Sequence, residues 1–163
     1  MKRPISLSPR LMAVADWIRE ADRVADVGTD HARLPVFLTQ RGLARSVIGL
    51  DISSGPLARA GRLLKVHGLE GQVTLMLSDG LLALTPEQID TAVITGLGGE
   101  TILSIAQASP WLKEKRLIAG PHTRHKRMVN GFDKMGFCLN EFKLVFDGGR
   151  MYHLYLFDRQ EKK

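Results

Sequence analysis

Four carboxylates and one glycine turn carry most of the chemistry this sequence offers. In Val24-Ala25-Asp26-Val27-Gly28-Thr29-Asp30-His31-Ala32-Arg33-Leu34-Pro35, an apolar strand-like run ends in a glycine turn and passes into a helix. Glycine at the tip of a strand lets a ligand approach the backbone where a side chain would block it. Asp51 closes the next apolar run, Ser46–Asp51. A carboxylate there, about 20 residues beyond the turn, can accept both hydroxyls of a ribose. The other reading of Asp51 is a turn residue before Ser53-Ser54-Gly55-Pro56. A third run ends in Ser78-Asp79-Gly80. Asp79 there either bonds the exocyclic amine of an adenine or makes an ordinary Asp-Gly turn.

The first loop is not a GxGxxG. A dinucleotide needs that spacing to seat its pyrophosphate on a helix N-terminus, and Asp30 would repel one. It suits a ligand with a cationic amino-acid end, and S-adenosylmethionine has both a sulfonium and an ammonium. Asp26 could accept from the ammonium directly or through water. Asp30 could instead cap the following helix, and His31 either orders the loop or lies near a substrate.

A later run ends Thr95-Gly96-Leu97-Gly98-Gly99-Glu100. So many glycines suggest close backbone approach by a cofactor or a flipped base, with Thr95 and Gly96 flanking the reacting centre. The alternative is a flexible turn. No Asn/Asp-Pro-Pro-aromatic element follows, so the acceptors that would pyramidalise an exocyclic amine are missing. A ring nitrogen, with an in-plane lone pair, needs no such help, and positioning would then supply much of the rate. His122-Thr123-Arg124-His125-Lys126-Arg127 is either a solvated helix face or an RNA contact. Two histidines three apart, with no nearby Cys, do not make a zinc site. The lone Cys138 lacks a basic, helix-start setting, which predicts a core residue and no nucleophile.

The elements that must position these groups alternate. Apolar runs at Val24–Gly28, Ser46–Asp51, Val73–Ser78, Thr91–Gly96 and Arg116–Gly120 are separated by helical patterns at Ala32–Gly42, Gly55–His67, Glu100–Ala108 and Thr123–Met135. This predicts a parallel sheet covered on both faces. Leu139–Asp147 and Met151–Asp158 flank Gly148-Gly149, a hairpin signal. Five parallel strands followed by a hairpin predict a seven-stranded, Rossmann-like methyltransferase sheet. A helix is expected over Ser8–Ala21, with Ser8 as N-cap and Pro9 at its first position. With 163 residues, 44% of them hydrophobic, one domain over 1–163 is expected, opened by a helical segment over 1–21. No apolar run reaches the ~20 residues of a membrane span. The single Cys fits a reducing cytoplasm, and a net charge of +6 favours polyanionic partners such as RNA.

On these segments, with Leu7-Ser8-Pro9-Arg10-Leu11, Asp79-Gly80-Leu81, Gly120-Pro121 and Arg150-Met151-Tyr152, the chain resembles the bacterial tRNA (adenine-22)-N(1)-methyltransferase family. The resemblance implies a class I S-adenosylmethionine-dependent methyltransferase acting on a tRNA adenine ring nitrogen. Arg10, Asp26, Gly28, Asp30, Asp51, Asp79, Gly80 and Thr95 are the expected cofactor contacts, Arg10 being a candidate for either the methionine carboxylate or an RNA phosphate. Thr95, Gly96 and His31 are expected beside the transfer, and Arg124, Lys126 and Arg127, with Lys2 and Arg3, at RNA phosphates. A cytoplasmic location, with no membrane and no metal, is expected. The family usually carries a further C-terminal helical domain that contributes to tRNA binding, so a short form is expected here. Arg33 stands where an aromatic is common, and His122 where Asn is common. The alternatives are a methyltransferase for another RNA or a small molecule, and a silent cofactor-binding module.

Overall fold

The computed structural model describes residues 3–159. In chain order the main elements are α1 (Pro9–Ala15), β1 (Arg23–Val27), α2 (Arg33–Arg41), β2 (Ser46–Asp51), α3 (Ser54–His67), β3 (Val73–Leu77), β4 (Thr91–Leu97), α4 (Gly99–Ala108), β5 (Arg116–Pro121), α5 (His125–Lys134), β6 (Cys138–Asp147) and β7 (Arg150–Asp158). The seven strands lie in the order β3-β2-β1-β4-β5-β7-β6. β1 to β5 are parallel, and β7 runs antiparallel between β5 and β6. This is the expected mostly parallel sheet of a Rossmann-like methyltransferase, with its C-terminal antiparallel hairpin.

The central strands are apolar on both faces, and side chains alternate across the sheet. Ala25, Ala92, Ile94 and Leu117 join one core, with Ile102 of α4 and Met128 and Phe132 of α5. Val24, Val93 and Ile118 point into the other, with Val14 of α1, Val36 and Phe37 of α2 and Leu64 of α3. One face is thus covered by α1, α2 and α3, the other by α4 and α5. No helix among the described residues is long and apolar enough to cross a membrane.

The β6–β7 hairpin turns at Gly148 and Gly149, both at positive φ (56° and 80°), and pairs Asp147 with Arg150. Two left-handed residues match the twist of the flanking strands. Cys138, expected in the core, is half-buried at the start of β6.

The first helix is shorter than its sequence suggests. Ser8 caps it, accepting from the Leu11 N–H at 3.5 Å, and Pro9 opens it, but it ends at Ala15 and not at Ala21. Tertiary bonds take over beyond that point. The Trp17 indole donates to Glu141 on β6 at 3.0 Å, and the Trp17 carbonyl accepts from Arg116 at 2.9 Å. α5 likewise starts at His125, because Arg124 ahead of it is left-handed (φ 57°).

Candidate functional site

The chain reverses its direction of strand addition between β1 and β4. Crevices for ligands open at the carboxyl ends of strands at such a point. A cavity of about 420 Å³ lies there, within the range of ligand pockets. It takes Arg10 from α1, Asp26 and Thr29 from β1 and its loop, Asp51 from β2, Gly96 from β4, and His122 after β5. Asp30, His31 and Thr95 also line it. An adjoining slot of about 160 Å³ runs between Ile52, Leu97 and Ile105, with Asp79 and Gly80 in its wall. Gly28, Asp51 and Leu97 border both spaces. The sequence-predicted cofactor residues thus surround one bipartite site, polar in one part and apolar in the other.

Gly28 sits at the junction with φ +74°, and a Cβ built on it would meet nothing within 4 Å. The space beside it is open, as close ligand approach requires. Asp51 is half-buried and one of its oxygens accepts from the Ser53 N–H at 3.0 Å. The turn role and a ligand role are compatible, since a carboxylate has about four acceptor sites.

Asp26 is only 7% exposed, and its Oδ2 accepts from the Thr29 hydroxyl at 2.9 Å. Burial pushes its carboxyl up to about 7; the Thr29 bond and the Arg10 charge pull it back, and Asp51 adds to the rise. A buried acid poised near neutrality, with one hydrogen bond, suits a cationic partner.

Asp30 does not cap α2. The residue at the cap position is Ala32, left-handed at φ 53°, with no side-chain cap. Asp30 itself has φ 44° and accepts from Arg59 of α3 at 2.9 Å, with His31 Nε2 at 3.6 Å from its other oxygen. The loop is therefore tied to α3.

The glycine run after β4 divides its work. Gly96 (φ +80°) faces the cavity, and a Cβ there would lie 3.6 Å from His122 Nε2. Gly99 owes its close approach to the chain itself and to no ligand. A Cβ on it would come within 2.6 Å of the Thr123 and Arg124 carbonyls, and its N–H donates to Thr123 at 2.8 Å.

Ser78 holds the turn after β3, donating to the Gly80 carbonyl at 2.9 Å and accepting from the Ala83 N–H at 3.1 Å. Asp79 is exposed beside it, and Gly80 packs on Ile105.

Arg10 lies 5.0 Å over the Tyr152 ring, and its N–H donates to Asp147 at 3.1 Å. Tyr152 in turn is 6.3 Å from His122 between ring centroids. The sequence assigned no role to Thr29 or to the apolar walls Ile52, Leu97 and Ile105, and it marked Tyr152 and His122 only as matching or departing positions of the resemblance, His122 also as part of a basic run. A polar residue one step past the glycine turn was the signal for Thr29. Arg124, Lys126 and Arg127 are exposed and do not line the cavity, and Arg127 reaches Glu100 at 3.2 Å. Arg3 is exposed, while Lys2 falls outside the described residues.

A family model described as a methyltransferase domain matches residues 7–155. A tRNA (adenine(22)-N(1))-methyltransferase of Bacillus subtilis (strain 168) is 28% identical over 152 residues, which are 92% of this chain and 64% of that protein. The chain thus spans less than two thirds of the length of that curated relative. A candidate tRNA (m1A22) methyltransferase of Streptococcus pneumoniae, solved in complex with S-adenosyl-L-methionine, superposes with a TM-score of 0.90 at 28% identity, covering 97% of this chain and 75% of that one. M. capricolum TrmK, solved with S-adenosyl-homocysteine, gives 0.82 at 30% identity, covering 95% and 70%.

Proposed function

Since this chain belongs to the methyltransferase-domain family, we propose that it transfers a methyl group from S-adenosylmethionine to ring nitrogen N(1) of an adenine in tRNA. The resemblance of its motifs points to position 22. The observation that carries the reading is the bipartite cavity. Its acids lie on the β1 and β2 side, its apolar slot lies beyond Asp51, and its wall on the β4 and β5 side is made by Gly96 and His122. That donor set fits S-adenosylmethionine, a molecule with a cationic amino-acid end, a diol and an adenine.

Asp26, held by Thr29, takes the ammonium, and its ionisation is favoured by that charge. Asp51 accepts from the ribose hydroxyls. Ile52, Leu97 and Ile105 sandwich the adenine, with Asp79 at its amine edge. Arg10, on the cavity wall, faces the carboxylate end. When bound, the cofactor supplies an electrophilic methyl group on a sulfonium. Thr95, Gly96 and His122 then shape the opening through which the target base enters. No residue here needs to remove a proton before attack, because N(1) has a free in-plane lone pair. The chain's contribution is alignment of that lone pair with the methyl group, and exclusion of water around it. A stacked or paired target must first be turned out of its helix.

Incubation with methyl-labelled cofactor and tRNA, followed by nucleoside analysis, tests this. Label in 1-methyladenosine, absent when the target adenine is replaced by guanine, is the expected result. Label in another nucleoside, or none despite tight cofactor binding, overturns the acceptor.

A further inference from the structure

The positive charge of this chain is concentrated in one segment. Residues 31–69 hold six Arg or Lys (Arg33, Arg41, Arg45, Arg59, Arg62, Lys65) and one acid, Asp51. The remaining residues carry 17 basic and 16 acidic side chains, so this segment supplies +5 of the net +6. The segment builds α2 and α3, which lie side by side on one face of the sheet.

Between them runs an open groove of about 510 Å³, lined by His31, Arg33, Arg59 and Arg62, with Leu63 and Val66 completing it. Arg59 and Arg62 are three apart on α3 and so share a face. His31 and Arg33 line both this groove and the main cavity, so the two spaces adjoin. Two of the guanidiniums are already braced. Arg59 donates to Asp30 through Nε at 3.3 Å and Nη2 at 2.9 Å, and Arg33 donates to the Ser6 carbonyl at 2.8 Å. Each guanidinium has five donors, so both keep donors to spare. Braced guanidiniums lose less side-chain freedom on meeting an anion, and their planar forks match phosphate.

We propose that this α2–α3 groove holds the sugar–phosphate backbone of the RNA substrate, on the far side of the cavity from the basic start of α5. The proposal rests on the reading that the acceptor is an RNA base. Phosphate contacts of this kind set register and orientation and leave base recognition to the cavity. A line of guanidiniums that leads to the cavity edge through His31 and Arg33 fits a strand whose base must enter that cavity. The six cations were visible in the sequence, but helical spacing scattered them.

The test measures tRNA affinity between about 50 and 200 mM salt for three proteins: the parent, Arg62→Glu, and the pair Arg59→Gln with Arg62→Glu. Each lost phosphate contact lowers the log–log salt slope by about 0.7–0.9 and the affinity by roughly five- to tenfold at 0.1 M salt. Arg62→Glu is expected to show about one such step and the pair about two. S-adenosylhomocysteine affinity of Arg62→Glu, measured by calorimetry, should stay at the parent value. If both variants keep the parent slope while Arg124→Glu with Lys126→Glu flattens it, the groove is overturned and the methyl-transfer reading stands. A parent protein that methylates no RNA and binds it without salt dependence overturns both. If Arg62→Glu loses binding to phosphatidylserine vesicles yet keeps the parent slope on tRNA, the groove belongs to a lipid surface and the proposal fails.

Discussion

The two ends of the sheet carry similar charges in opposite states. At the carboxyl end, Asp26 is buried and its carboxyl is pushed up to about 7 by burial. At the amino end, Asp90 is held down at about 2, chiefly by its hydrogen bonds from Arg23. That amino end also has a charged cavity, of about 440 Å³. Its main charges are spent on each other. Arg23 bonds both oxygens of Asp90 at 2.9 Å, Arg116 and Arg19 converge on Asp158 at 2.6 and 2.9 Å, and Asp22 accepts from Thr91 at 2.6 Å. At the carboxyl end Asp26 has a hydroxyl for its partner and Asp51 a backbone N–H. Charge density alone does not mark a site. Carboxylates left short of cationic partners do, because they are costly until a ligand arrives.

The comparison predicts that substitutions at one end change stability and at the other change binding. The largest effect is expected from Asp158→Ala. It leaves Arg116, 13% exposed with its Nε already unpartnered among the described residues, without its carboxylate. Stripping one member from a mostly buried pair costs about 3 kcal/mol. Denaturant unfolding should show that loss while S-adenosylhomocysteine affinity is unchanged in the folded protein. A fall in affinity would mean the two ends are coupled.

Asp51→Ala should do the reverse. Losing a charged acceptor costs about 1.5–3 kcal/mol of binding, or roughly 10- to 150-fold in affinity. Its melting temperature should stay close to the parent's, since Asp51 lies at a strand tip. Unaltered affinity would remove the ribose from this position.

A smaller effect distinguishes the carboxylates by pH. Asp26 ionises near 7, and a cationic ligand favours the ionised form. Affinity for S-adenosylhomocysteine should therefore rise about tenfold from pH 6 to pH 8. Asp26→Asn should abolish that dependence, and a parallel pH profile in the variant would contradict the assignment. The stability signs are opposite. A raised acid favours the folded state while protonated, so Asp26 withdraws stability as pH climbs from about 4 to about 7. A depressed acid stabilises while ionised, so the Asp90 contribution is present above about 4 and is lost as pH falls toward 2. The Asp90 pair is more than a third exposed, so solvent screening keeps Asp90→Asn to the smallest effect, a Tm drop of no more than about 3 °C at neutral pH.

The five parallel strands and the positions of Gly28, Asp51 and Asp79 were legible because a parallel sheet writes itself as apolar runs, with its site at their ends. The hairpin was legible from two glycines. The shortened α1 was not, since Trp17 leaves the helix for partners 99 and 124 residues away in sequence. Nor was the slot between Ile52, Leu97 and Ile105, because three apolar side chains from a loop, a strand end and a helix look like core until packing brings them to one place. Gly99 shows the opposite error. Its need for space is real, but the neighbour is the chain's own β5–α5 connection.

The placement of β7 between β5 and β6 bears on how the molecule is made. A ribosome releases β6 before β7, yet among the described residues β6 pairs with no strand but β7. Until β7 emerges, β5 has one bare edge. β6 meanwhile displays Phe142, Leu144 and Phe146, which stay 46%, 56% and 65% exposed even in the finished fold. An apolar strand waiting for its partner invites pairing with the wrong chain. The last strand to appear is thus the keystone of the sheet, and the interval before its arrival is when the nascent protein most needs protection from its neighbours.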